Sequence, residues 1–381
     1  MPTTPPPRSY DVAIAGLGAM GSAAAFHLAR RGLRVIGFDR YAPPHAMGSS
    51  HGETRIIREA YFEDPRYVPL VQRALTLWRE LETLSRRPLL RPTGGLMLGP
   101  PAGPLVAGAQ ASGDAHRLPY ERLGADEVAR RFPAFAPSPD WVGIFEPNAG
   151  ALFPEACVAA HLDGARARGA DLRPEEPVMA WRATDGGVEI ETARGRYATG
   201  ALVLAAGAWL APLLDGLDLG LSVVRQPLVW FEPAPPLERF EPERFPIWIC
   251  EHEPGRFVYG FPLFNGRLKA AIHQEGEATT AERLDREPRE ADVRALAAPL
   301  ERVLPGATQR FDRSRVCMYT NTRDQHFVLD RHPAHANVFV VSACSGHGFK
   351  FSSVIGEVVA GLVQGDRPGF DLDLFRIGRQ P

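Results

Sequence analysis

The sequence predicts a mixed α/β and α+β fold: a Rossmann-type dinucleotide-binding domain with a β-rich domain inserted into it. Three observations carry this. A Gly-x-Gly-x-x-Gly turn near the N-terminus joins a β-type run to a helical run, and an acid ends the next strand. Strand-like segments of small and branched residues return far down the chain, around 201–207 and 337–341. Finally, 381 residues are too many for one simple core.

Asp11 to Ala15 is the first strand and Gly16-Leu17-Gly18-Ala19-Met20-Gly21 the turn. Ser22 to Arg31 follows as a helix of small apolar residues, ended by Gly32. Leu33 to Phe38 is the second strand, and Asp39 closes it. In such a unit the first glycine permits the tight turn. The second lets backbone approach a pyrophosphate, and the third lets helix and strand pack closely. The helix N-terminus adds free N–H groups and partial positive charge for the phosphates. Asp39 is placed to accept hydrogen bonds from an adenosine ribose, which disfavours a 2′-phosphate and hence NADP. These residues imply a dinucleotide without choosing between FAD and NAD.

Pro65 to Leu84 reads as an amphipathic helix, with Val68, Val71, Leu75, Trp78 and Leu81 on one stripe. Residues 91–138 are rich in Gly, Pro and Ala with weak periodicity, and read as short strands and loops. Ala156 to Arg168 is helical. Val188 to Thr192, a turn near Gly195, and Ala201 to Gly207 form a meander that returns to the sheet. Strand-like aromatic segments fill Leu221 to His273, and Asp292 to Leu304 is helical. Asn337 to Val341 is a buried strand, Ser345 to Gly348 breaks it, and Phe351 to Val363 is a helix. The dinucleotide domain thus takes 1–90, 145–220 and 318–381, and the substrate domain 91–144 and 221–317. Met1 to Pro7 reads as a short frayed tail without the layout of a secretory signal.

Composition excludes some functions. Net charge is −2, so no basic excess argues for nucleic acid or an anionic membrane surface. No apolar run reaches the ~18–20 residues that span a bilayer. The cysteines Cys157, Cys250, Cys317 and Cys344 form no CxxC pair, which argues against a metal site or disulfides and for reduced thiols in a cytoplasmic protein. The chain has 41 arginines and two lysines, Lys269 and Lys350. Lysine is a compact charge whose pKa moves readily on burial, so the two mark positions where guanidinium would not serve. From composition alone, chance survival explains them equally well.

Five segments together resemble the monomeric sarcosine oxidase family of FAD enzymes, which includes N-methyltryptophan oxidase. They are Pro43-Pro44-His45 with Gly48-Ser49-Ser50-His51-Gly52-Glu53-Thr54-Arg55-Ile56-Ile57-Arg58, then Phe145-Glu146-Pro147-Asn148-Ala149-Gly150 and Tyr259-Gly260-Phe261-Pro262, then Cys317-Met318-Tyr319-Thr320 and Ser345 to Ser353. The resemblance implies FAD and oxidative demethylation of sarcosine or another secondary amino acid. Oxygen and water are consumed, and the primary amino acid, formaldehyde and hydrogen peroxide are formed. It implies a covalent flavin link at Cys317, where a lone cysteine is otherwise a small core residue. Arg58 and Lys350 would bind the substrate carboxylate, with Glu63 pairing Arg58 and Tyr259 lining the pocket. Lys269 would activate oxygen, and Arg55, His273 and Tyr319 would complete the catalytic set. Gly16, Gly18, Gly21, Asp39, Ser49, His51, Val178, Gly346, Gly348 and Lys350 would hold the cofactor. The protein would work as a monomer on a small amino acid and O2. Cyclic secondary amino acids of the proline and pipecolate type, or electron transfer to another acceptor, are the alternatives. The chain departs from the family at Ser50-His51, where two histidines are common. Its loop between Tyr259 and Lys269 is also one residue shorter, next to the expected pocket.

Overall fold

The computed structural model describes residues 10–379; the Met1–Pro7 tail lies outside them. The first strand, Tyr10–Ala15, is the centre of an eight-stranded sheet. Val35–Phe38 and then Asp171–Arg173 lie parallel on one side of it. Gly195–Leu204 and His335–Ser342 lie parallel on the other side. The chain therefore reverses its direction of strand addition beside Tyr10–Ala15, and ligands bind outside the strand ends at such a point. The helix Ala19–Arg30 covers one face and packs on the helices Pro154–Arg166 and Ser352–Gln364. Its run Ala23-Ala24-Ala25 allows close approach: a side chain at Gly356 would meet the Ala23 backbone at 2.5 Å.

The second layer is a nine-stranded, mostly antiparallel sheet. Ser222–Glu232 lies between Leu268–His273 and Arg310–Asn321, while Ile247–Glu253 joins this half to Gly95–Gly99 and Val142–Glu146. Arg55–Ile57, Gly150–Leu152 and Leu90–Pro92 form a separate small antiparallel sheet. Two of the expected domain boundaries, 144/145 and 317/318, fall inside the strands Val142–Glu146 and Arg310–Asn321. The sheet carries each strand through whole, so the chain changes layer after it.

The segment 91–138 differs from its sequence reading. It holds two helices, Pro104–His116 and Ala125–Arg131, where strands and loops were expected. Gly108 and Gly113 lower helix propensity and hide the pattern. Both are used for packing, since side chains there would strike the Phe62 carbonyl and the Tyr120 ring. Among the described residues no helix is long and apolar enough to cross a membrane.

Candidate active site

One cavity of about 490 Å³ runs from the glycine turn, past Cys317, to Lys350. At its first end Gly16 has φ +96°, and a Cβ there would meet the Ala205 carbonyl oxygen at 2.5 Å. A Cβ on Gly21 would collide with the Gly16 carbonyl. The fold itself thus demands these two glycines. Gly18 is different, because its Cβ would find no protein atom closer than the Ser50 hydroxyl at 3.8 Å. What Gly18 keeps clear is the cavity. The first N–H of the helix it opens, that of Ala19, donates to the Ser50 hydroxyl at 3.2 Å, and the first turn holds no acid, so the positive end of the helix still favours an anion. Asp39 lines the same end, held by the Leu17 N–H at 2.7 Å and the Tyr41 N–H at 2.9 Å. Val178 is on the wall beside Met179, which is 62% exposed. The cradle fits a dinucleotide.

Further in, Cys317 is buried on the strand Arg310–Asn321. Its Sγ lies 3.6 Å from Arg55 Nη2 and 3.7 Å from the Ser49 carbonyl oxygen. Arg55 donates to that carbonyl at 2.8 Å and to the Thr54 carbonyl at 2.8 Å. The buried Thr320 hydroxyl on this wall has no partner. His51 is also buried, with both ring nitrogens unpartnered, and it lies behind the wall. Burial first, then the positive charge of Arg55, pulls its pKa down to about 3. Lys269 is behind the wall too. Its Nζ donates to the Gly52 carbonyl at 2.6 Å, the Thr54 carbonyl at 2.9 Å and the Thr54 hydroxyl at 3.2 Å. Burial, then Arg55, pushes its pKa well down. Three oxygen acceptors and the ring faces of Phe261 and Trp230 at 4.9 and 5.5 Å oppose that push, and match the three donors of an ammonium.

At the far end Arg58 is 2% exposed; its Nη2 donates to both Glu63 carboxylate oxygens at 2.8 and 2.6 Å, and its Nη1 donates to the Ala60 carbonyl at 2.9 Å. Burial alone would raise the Glu63 pKa, but Arg58, then His347 and Lys350, bring it down to about 2. Lys350 donates to the His347 carbonyl at 2.7 Å; burial, then Arg58, lowers its pKa to about 7. His273 and Tyr319 approach at 3.4 Å, and Tyr319 and Tyr259 at 3.5 Å. Gly346, with φ +77°, leaves room for Tyr319, whose ring a Cβ would meet at 2.5 Å. A Cβ on Gly348 would strike the Ala343 carbonyl, so this glycine serves the turn.

The sequence reading assigned no role to the residues that hold the Arg58 loop. The buried Glu146 carboxylate accepts the N–H groups of Glu59 at 2.6 Å and Ala60 at 2.8 Å. The Ser112 hydroxyl donates to the Tyr61 carbonyl at 2.5 Å. Glu146 stands in a motif already singled out, and an acid between Phe145 and Pro147 on a buried strand was the available signal. Between Tyr259 and Lys269 the chain makes a tight Phe264-Asn265-Gly266-Arg267 turn, with Asn265 and Gly266 at φ 53° and 73°. None of these four residues lines the cavity, although Tyr259 at the start of the loop does.

Residues 11–362 match the FAD dependent oxidoreductase family. The chain is 43% identical over 371 residues to monomeric sarcosine oxidase of Streptomyces avermitilis, covering 96% of this chain and 97% of that one. It is 37% identical over 374 residues to N-methyl-L-tryptophan oxidase of Salmonella heidelberg, covering 97% and 99%. The chain belongs to the monomeric sarcosine oxidase family. Its fold agrees with NikD, an unusual amino acid oxidase of nikkomycin biosynthesis, at TM-score 0.84 and 26% identity over 97% and 98% of the two chains. In this family of flavoproteins the dinucleotide suited to the cradle is FAD.

Proposed function

We propose that this member of the sarcosine oxidase family oxidises sarcosine or a related N-methyl amino acid with O2 and water. The products are the primary amino acid, formaldehyde and hydrogen peroxide. The observation that carries the reading is a pair of buried cations, Arg58 and Lys350, on one cavity with the dinucleotide cradle. Glu63 balances one of the two charges. A substrate carboxylate balances the other, and the buried Arg58 Nε, which has no protein partner, together with Lys350 is left to donate to it. The neighbouring wall is His273, Tyr259 and Tyr319. Burial lowers His273 to about 4 and raises both phenols, so all three are neutral near pH 7. A neutral buried wall favours the free amine over the ammonium, and the free amine is the oxidisable form. Bound FAD supplies the two-electron oxidant for the N-methyl carbon and the route for those electrons to O2. Arg55 keeps a positive charge beside Cys317, and Lys269 keeps a second one behind the Gly52–Thr54 loop. The enzyme works as a cytoplasmic monomer.

A peroxide-coupled screen of sarcosine, other N-methyl amino acids, proline and pipecolate tests this. Fastest turnover on an N-methyl amino acid is the expected result. Turnover confined to proline and pipecolate would replace the substrate class, and turnover only with an artificial acceptor would make the protein a dehydrogenase.

The buried Cys317 thiol on the cavity wall supports a thioether to the 8α carbon of bound flavin; the S–H and one 8α C–H would be lost as the flavin accepts the two electrons and passes them to O2, and the link would fix the ring. After acid denaturation and centrifugation the yellow colour is expected to stay with the polypeptide. A colourless pellet would remove the link.

A further inference from the structure

The turn that carries Lys350 also carries a histidine with no part in the chemistry above. His347 is buried, and both its ring nitrogens are engaged. Nε2 lies 3.0 Å from the Gln325 carbonyl oxygen, and Nδ1 lies 2.5 Å from the Tyr61 hydroxyl. A carbonyl oxygen only accepts, so Nε2 carries the hydrogen. Nδ1 is then the acceptor for the Tyr61 hydroxyl proton. Burial pulls the pKa of the ring down to about 3, so this tautomer persists at neutral pH. The ring is clamped as well. Phe327 stacks on it at 4.8 Å between centroids, and Tyr67 meets it edge-on at 5.6 Å.

The other end of that hydrogen bond reaches the substrate site. The ring of Tyr61, fully buried, lies 4.3 Å from the Arg58 guanidinium carbon and 5.1 Å from Lys350 Nζ. Both cations are within the distance at which an aromatic face attracts positive charge. The backbone carbonyl of His347 accepts from Lys350 Nζ at 2.7 Å. One residue therefore touches one cation directly and the floor beneath both.

We propose that His347 is a positioning residue for the carboxylate site: by accepting the Tyr61 hydroxyl proton it fixes the Tyr61 ring as the shared floor on which Arg58 and Lys350 converge. This rests on the carboxylate-binding role given to that pair. Without the bond, the buried Tyr61 hydroxyl keeps only the long contact to the His347 backbone carbonyl at 3.5 Å, and the ring tilts to improve it. The tilt moves both cations away from a planar anion.

The test uses the flavin-loaded enzyme and three variants. His347→Leu removes the acceptor, Tyr61→Phe removes the donor, and His347→Asn restores an amide oxygen near the position of Nδ1. Acetate affinity is read from its perturbation of the flavin spectrum, with KM and kcat for sarcosine and the melting temperature alongside. His347→Leu and Tyr61→Phe are each expected to weaken acetate and raise KM by about tenfold, with kcat falling by less than KM rises. His347→Asn should recover most of the loss. The double variant should be no worse than the worse single one, because both remove the same bond. Losses that multiply, or a lowered melting temperature with unchanged acetate affinity, would overturn the proposal. Arg58→Ala separates the two levels. If it weakens acetate while His347→Leu does not, the positioning role alone fails. If neither matters, the carboxylate site itself is wrong and the proposal falls with it.

Discussion

Replacing Lys269 with methionine is expected to slow reoxidation of the reduced enzyme by O2 about 10²–10³-fold, while reduction by the amine changes by less than about tenfold. Oxygen gains negative charge as it takes its first electron, and a fixed cation in a water-poor site stabilises that charge far more than one in solvent. On the proposed assignment, Lys269 in its protonated form is such a cation. It is 3% exposed, and the Gly52 and Thr54 oxygens hold its ammonium at 2.6–3.2 Å. The Thr54 carbonyl also accepts from Arg55, so the two positive groups share one anchor near Cys317. Methionine keeps the length and the apolar stem but brings no charge. Stopped-flow measurement of each half-reaction checks the assignment. Equal slowing of both would mean that Lys269 only props the Gly52–Thr54 loop, and unchanged rates would remove it from the oxygen reaction.

The sequence made the dinucleotide half of the molecule legible because its signals are local. Gly16 and Gly21 are dictated by contacts within one βαβ unit, and Gly18 is the one the protein does not itself require. Asp39 lies one residue beyond its strand. The two lysines were legible for another reason. In a chain that otherwise uses arginine, both proved to be buried. The supports of the substrate loop were not legible, because they are long-range. Glu146 is 87 residues from the N–H group of Glu59 that it accepts. Ser112 lies on a helix whose glycines suppress the helical pattern. His347 and Tyr61, 286 residues apart, meet only through the fold. A motif names such residues without saying what they touch.

Arg58→Ala is expected to weaken acetate binding by about 10²-fold or more and to raise KM for sarcosine in parallel, since a buried charge partner is lost. Its neighbours make the effect depend on pH. In the free site Lys350 titrates near 7, lowered by burial and then by Arg58, and raised by Glu63. A carboxylate binds best to the protonated lysine. Acetate affinity in the unaltered enzyme should therefore be flat between about pH 6, where acetate is still ionised, and about pH 7, and fall roughly tenfold per unit above it, where binding must take up a proton. Acetate reports this cleanly because it has no amine to titrate. Glu63, by contrast, is ionised throughout that range, since Arg58 and its neighbours outweigh burial and hold it near 2. Its folded pKa lies below the ordinary 4.5, so the ion pair adds stability above about pH 4.5 and loses it as pH falls toward 2. Removing Arg58 deletes the chief force that lowers Glu63 and the second that lowers Lys350. Lys350 then turns to Glu63 and keeps its proton to higher pH. The break in the acetate curve should move upward from 7 while the acid-side stability shrinks. A variant whose break stays at 7, with acetate affinity unaltered, would place Arg58 outside the carboxylate site.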